Sequence, residues 1–314
     1  MRCEPKRGNQ WIVELAERDG GCAESAGGPA GHGQAMKPRV RLGRKLLRLS
    51  GFVQSLAVAV MRPRDIIESN RLTYELPDVG GVWARDELVD SGLNPGELAL
   101  LKLVPLRRGR ILVLFAGGGR EAIAFARVGF EPTCIDFIPG LTEKAKANAN
   151  RRGLHIEALT QDISELDLPA GSFDIAWLGS RMYSSIPGQA TRVRMLQRVA
   201  NTLTAEGLLV CQFDWDPAVR RRRASDLVRI AVAALSAGNL QYQNSDRFME
   251  PSEFTHHFST VAELQTEFSR GGFDVLDIRV RDKWSYGGAV LSKAGGRRRE
   301  NQGSQAPSEP RAFE

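Results

Sequence analysis

The sequence predicts an α/β fold in which a mostly parallel sheet carries helices on both faces. Three observations support that expectation. Residues 111–115 form an apolar run, Ile-Leu-Val-Leu-Phe, of the length of a buried parallel strand. Gly117, Gly118 and Gly119 follow it closely, and then a stretch of helical period sets Ile123, Phe125 and Ala126 on one face. A second short apolar run closes on Asp136. Strand, glycine turn, helix, strand and acid make the first half of a nucleotide-binding βαβ unit. The glycines let the backbone approach a ligand closely. The helix behind them offers free N–H groups and a positive dipole end. A carboxylate closing the second strand can accept the hydroxyls of a ribose.

Glycine spacing alone does not choose the nucleotide. Gly117 to Ala122 satisfies the G-x-G-x-x-A dinucleotide pattern, a weak signal in a chain with 32 glycines. The longer stretch RILVLFAGGGRE, residues 110–121, resembles motif I of the class I S-adenosylmethionine-dependent methyltransferases, whose usual form is RVLDLGCGTGRE. It matches at Arg110, Gly117, Gly119, Arg120 and Glu121. Val113 stands where the family has an acid, and Phe115 replaces the first glycine. The resemblance implies a Rossmann-like, seven-stranded, mostly parallel sheet with its last strand antiparallel, over about residues 105–293. It also implies S-adenosylmethionine as cofactor, cradled by Phe115, Ala116, Gly117, Gly119, Glu121, Asp136 and Phe137, with Gly179 at the end of the fourth strand.

Composition narrows the alternatives. Hydrophobic content of 42% and charged content of 25% are ordinary for a globular protein. The net charge of +6 is concentrated in residues 37–48, Arg220 to Arg223 and Arg297 to Arg299, so no basic field for nucleic acid is expected. Cys3, Cys22, Cys134 and Cys211 form no C-x-x-C pair and have no zinc spacing. A reducing cytoplasm suits them. The sequence does not indicate an oligomeric state.

Taken in order, residues 1–36 read as a disordered, glycine-rich leader, and Met36 offers an alternative start. A helical region over 37–104 follows. Residues 37–62 run from a basic helix, with Arg39, Arg41, Arg44, Lys45 and Arg48, into an apolar one. Two roles suit it: peripheral contact with a membrane surface, or packing on the body of the protein. Residues 63–75 start a helix with Pro63 in the first turn and Asp65 at its positive end. Arg71 and Tyr74 on it are lid candidates, because N-terminal helices cover the cofactor pocket in the family. A further helix is expected over ARDELVDSG.

Beyond Asp136, an Ala- and Lys-rich helix ends at Gly153. A third strand leads to Asp162, which matches the family's adenine-contacting acid, with Ile163 packing on the ring. A fourth strand covers Phe173 to Leu178. The next helix sets Val193, Leu196, Val199, Ala200 and Leu203 on one face. The fifth strand is 208–215, and residues 272–293 give two strands about a turn. Residues 216–262 form an insertion suited to acceptor recognition, and 294–314 a basic, disordered tail.

The loop GSRMYSSIP after the fourth strand lacks the N/D-P-P-Y/F tetrapeptide with which DNA-adenine and protein-glutamine methyltransferases hold an amine or amide. A small-molecule or glycan-type acceptor is therefore expected. Tyr183 is the acceptor-side candidate, since a phenol both walls a pocket and hydrogen-bonds. His256 and His257 are the candidate general bases. Adjacent on a strand or loop, they are a poor chelate, and no metal constellation is visible. The other readings are an NAD(P)-binding oxidoreductase and a non-catalytic S-adenosylmethionine-binding protein.

Overall fold

The computed structural model describes residues 38–219, 224–243, 245–249 and 253–296. The expected leader, most of the basic tail and Arg220 to Arg223 lie outside them. The chain divides into two units, 1–47 and 48–314.

Helix α1 spans Pro38–Val60. Leu42, Leu46, Leu49 and Val53 on it are exposed, whereas Val58 and Ala59 near its end are buried. Val58 packs with Ile66 and Phe254, so the apolar end of α1 takes the packing role. No described helix is long and apolar enough to cross a membrane. Helix α2, Pro63–Glu75, starts where Pro63 fits the first turn and the Asp65 carboxylate accepts the Arg62 N–H at 2.8 Å. Three short helices follow: α3 (Pro77–Gly80), α4 (Asp86–Asp90) and α5 (Pro95–Leu101). A 3₁₀ turn, Gly81–Ala84, lies between the first two. At the start of α5, Asn94 and Glu97 cap each other's backbone N–H groups reciprocally.

The sheet then builds in sequence: β1 (Gly109–Leu114), α6 (Arg120–Arg127), β2 (Phe130–Asp136), α7 (Pro139–Arg151) and β3 (Glu157–Thr160). Next come β4 (Phe173–Leu178), α8 (Gln189–Thr202) and β5 (Leu203–Trp215). The inserted segment folds as α9 (Ala224–Leu235), β6 (Asp246–Met249) and β7 (Glu253–Phe258). Helix α10 (Val261–Arg270), β8 (Phe273–Arg279) and β9 (Ser285–Lys293) complete the chain. Strands β3, β2, β1, β4 and β5 pair in parallel, in that order, and β9 runs antiparallel to β5 with β8 beyond it. That is the expected seven-stranded sheet.

The insertion adds two strands in an informative place. Strand β9 pairs with β5 from Leu208 to Trp215 and so fills one of its edges. Strand β4 pairs on the other edge as far as Cys211, and β7 takes over there at Asp214 and Trp215. The β6–β7 hairpin therefore stands beyond the carboxyl end of β4, the side of a parallel sheet on which ligands bind. The core lies on both faces of the sheet. Leu112, Leu114, Met195, Leu196, Phe213 and Phe268 belong to one side, and Ile111, Val113, Phe125, Cys134 and Trp177 to the other.

Candidate cofactor and acceptor site

The loop leaving β1 sets the geometry. Phe115 adopts a φ of 54°, the left-handed region that a non-glycine residue enters at a cost of about 1–3 kcal/mol. The conformation is the one a glycine provides freely, and Phe115 holds it while lining two joined cavities. Gly118 is required for a different reason. A Cβ there would sit 2.4 Å from the Trp83 carbonyl oxygen and 2.4 Å from the Ala84 Cα, so the N-terminal segment touches the glycine loop backbone to backbone.

Asp136 closes β2 and is 5% exposed. Its two carboxylate oxygens accept the N–H of Gly117 at 2.9 Å and of Ile138 at 3.0 Å. Burial pushes its pKa up against those backbone hydrogen bonds. Asp136 thus pins the glycine loop, and Val113, where the resemblance expects an acid, is buried in the core.

The larger cavity is lined by Phe115, Ala116, Gly117, Glu121, Asp136 and Phe137. Tyr74, Trp83, Arg181, Asp214, Met249, Glu253 and Phe254 line its other walls. The smaller holds Asp162 and Ile163 and shares Asn70, Phe115, Phe137 and Ser185 with the larger. Asp162 caps the 3₁₀ turn behind it by accepting the Ser164 N–H at 2.7 Å.

Sequence reasoning missed a buried charge cluster beside Glu121. Arg120 holds Glu97 with two hydrogen bonds of 2.8 Å and also bonds Glu121 and Ser180. Burial raises the Glu121 pKa, although Arg120 opposes the shift. Gly179 serves this cluster, because a Cβ there would lie 2.8 Å from the Glu97 carboxylate. Neither Gly179 nor Gly119 lines a cavity; Gly119, at φ 92°, lets the start of α6 pack on Ala145. Of the two lid candidates, Tyr74 lines the cleft, while Arg71 is exposed and pairs with Glu75 at 3.1 Å.

The three expected catalytic residues are not at the cavities. Tyr183 is fully buried between Phe258 and Phe268 and donates to Glu267 at 2.7 Å. His256 is fully buried, with Asp246 at 2.7 Å and Glu263 at 3.3 Å from its ring nitrogens. His257 is 3% exposed, and neither ring nitrogen has a hydrogen-bond partner. Tertiary partners fix the directions that the sequence left open: Glu267 holds Tyr183, and Asp246 and Glu263 hold His256.

The two histidines respond to pH in opposite senses. Burial and Arg192 pull the His256 pKa down, but its hydrogen bonds to Asp246 and Glu263 outweigh them and raise it above 6.5. Its contribution is complete below 6.5 and is lost as pH rises through the raised value. Burial, followed by Arg247, lowers His257 from 6.5 to about 4. Its unfolded form gains a proton below 6.5 that the folded form refuses, so stability falls between 6.5 and about 4. Replacing His257 by leucine should leave melting unchanged near pH 7 and flatten the acid limb of a melting-temperature profile. An unaltered acid limb would contradict the assignment.

Residues 111–207 match a family profile described as a methyltransferase domain. A SAM-dependent methyltransferase from Methanosarcina mazei superposes with a TM-score of 0.52 at 19% identity, over 65% of this chain and 99% of that one. A second, from Clostridium acetobutylicum, gives 0.50 at 12% identity over 68% and 97%. The fold is that of the class I S-adenosylmethionine-dependent methyltransferases. A third methyltransferase of this fold is the 1,6-didemethyltoxoflavin-N1-methyltransferase from Burkholderia thailandensis. Solved with 1,6-didemethyltoxoflavin and S-adenosylhomocysteine bound, it gives 0.50 at 19% identity over 73% and 88%. No curated protein sequence matches the chain significantly. Within the methyltransferase fold, the profile covers β1 through the start of β5 and leaves the inserted hairpin outside.

Proposed function

We propose that the protein transfers a methyl group from S-adenosylmethionine to a small-molecule acceptor. The observation that carries this reading is the alignment of Asp136, Asp162 and Ile163 along two joined cavities at the carboxyl ends of β1 to β4. The donor set suits the cofactor. Asp162 offers an acceptor and Ile163 an apolar face for an adenine. Asp136 keeps lone pairs for ribose hydroxyls beyond its two backbone bonds. Glu121 lines the same cleft and offers a carboxyl for the methionine ammonium. When bound, the sulfonium supplies an electrophilic methyl group, so the residues of this chain have to orient the acceptor, exclude water and take up a proton.

A dinucleotide oxidoreductase is disfavoured by topology. After β5 the chain does not repeat a mononucleotide-binding half but returns through β9 antiparallel to β5. Calorimetric titration separates the readings: S-adenosylhomocysteine should bind in the micromolar range or tighter and NADH should not. Binding of NADH alone would refute the proposal.

The domain boundaries follow the same logic, with residues 105–293 as the catalytic domain, 37–104 as an N-terminal helical region whose residues from Pro63 on serve as a lid, and 216–262 as the acceptor insertion. In support, Met249, Glu253, Phe254 and Thr255 of the insertion and Tyr74 and Trp83 of the lid all line the larger cavity.

A further inference from the structure

Resting on that reading, we infer that Glu253 is the residue that receives the acceptor's proton, that Tyr74 positions it, and that the acceptor is a neutral or cationic ring compound bearing an O–H or N–H group. Tyr74 comes from α2 and Glu253 from the first position of β7, and the phenol donates to Glu253 Oε1 at 2.7 Å across the cleft. Both residues line the cavity that also contains Gly117 and Asp136. The phenol is close enough to the cofactor end to feel the charges of Arg181 and Asp136. Burial and the neighbouring Glu253 hold its pKa far above the usual phenol range, so Tyr74 stays a donor and Glu253 the acceptor of that bond.

The same two elements are also tied by the Asn70 side-chain Oδ1, which accepts the Phe254 N–H at 3.4 Å, and by the packing of Ile66 on Phe254. The carboxylate is thereby held between two anchored segments.

The charge balance of the walls selects the acceptor. Both arginines lining the cleft are already committed: Arg120 to Glu97 and Glu121, and Arg181 to Asp214 at 3.1 Å. Asp214 takes a further hydrogen bond from Thr255 at 2.6 Å. Glu253 is bonded by a neutral phenol and forms no salt bridge among the described residues; Arg181 acts on it only at longer range while paired with Asp214. A carboxylate or phosphate on the acceptor would meet this charge beside arginines that already hold carboxylates of the protein, whereas a donor or a cation is favoured. Trp83, Met182, Met249 and Phe254 form apolar walls suited to a flat ring. In the transfer, the acceptor's O or N lone pair forms the new bond to carbon and the carbon–sulfur pair returns to sulfur. The proton released from the acceptor passes to the Glu253 carboxylate and from there to solvent.

Three phenols of one shape test this by calorimetry on protein saturated with S-adenosylhomocysteine: cationic tyramine, neutral 4-ethylphenol and anionic 4-hydroxyphenylacetate. Tyramine and 4-ethylphenol should bind about tenfold or more tightly than the carboxylate, the effect of one charged contact. Glu253→Gln should erase that ratio and leave the affinity for S-adenosylhomocysteine unchanged. Tyr74→Phe should lower the ratio, whereas a merely structural loosening of α2 would weaken all three phenols alike. Preference for the carboxylate, equal binding, no binding of tyramine, or an unmoved ratio in Glu253→Gln would overturn the inference while the methyltransferase reading stands. Failure of the wild type to bind S-adenosylhomocysteine would overturn both.

Discussion

Replacing Glu267 by leucine should cost about 3–5 kcal/mol of stability, the penalty for stranding one partner of a buried ion pair. Glu267 and Arg192 are both fully buried, between α10 and α8. The guanidinium donates to the two carboxylate oxygens at 2.7 and 2.8 Å, and also to the Ile186 carbonyl and to Gln243. Tyr183 adds a third donor to Glu267. Without the carboxylate, Arg192 remains charged in an apolar setting, because burial alone does not neutralise a guanidinium whose pKa is normally above about 12. Urea denaturation should show the lower midpoint. The double variant Arg192→Met with Glu267→Leu should recover most of the loss, since a well-packed apolar pair replaces a buried ionic one at little cost. A double variant as unstable as the single one would show that the pair itself, rather than its disruption, sets the penalty.

The second large effect is expected at Asp136. Changing it to alanine removes the acceptor for two backbone N–H groups and, in the proposed complex, for the ribose hydroxyls. Charged hydrogen bonds contribute about 1.5–3 kcal/mol each, so affinity for S-adenosylhomocysteine should fall by about tenfold to a hundredfold or more. The melting temperature should fall as well, because the Gly117 and Ile138 donors lose their partners. Asp162→Ala should lower affinity with a smaller thermal penalty, since its single structural bond is to Ser164. A folded Asp136→Ala protein of unchanged affinity would remove the cofactor assignment.

These residues also show how much was legible beforehand. Strands such as Phe173–Leu178 and helices such as Pro63–Glu75 were readable because apolar period and a first-turn proline are local signals. Asp136 stood out as an acid closing a strand behind a glycine turn, whereas Asp162 was singled out only through the resemblance to the methyltransferase family. Direction was not readable. Tyr183 reads the same in sequence whether it walls a pocket or stacks on Phe258, and only the tertiary partner Glu267 decides. The segment EFTHHF was open for the same reason: its pairing with β6 and with the tip of β5 fixes which side chains reach the cleft. Arg192 was hidden by its type, as arginine on a helix is normally solvated and gave no hint of the acid 75 positions on. The acceptor-side pair Tyr74 and Glu253 lies 179 residues apart in the chain, beyond any spacing rule.

The seam between β5 and β7 has a consequence for how such a protein diversifies. Two residue pairs, Asp214 with His257 and Trp215 with Phe258, join the hairpin to a strand whose lower half belongs to the donor side. The donor side is built from β1 to β4 and ends before this seam begins. The hairpin is anchored further by Phe258 in the core, by Thr255 on Asp214 and by Glu253 on Tyr74, so length and composition can vary at its outer end while the strand order and the glycine loop stay as they are. On the proposed reading, acceptor selectivity varies through the outer residues of that hairpin while its base stays part of the core.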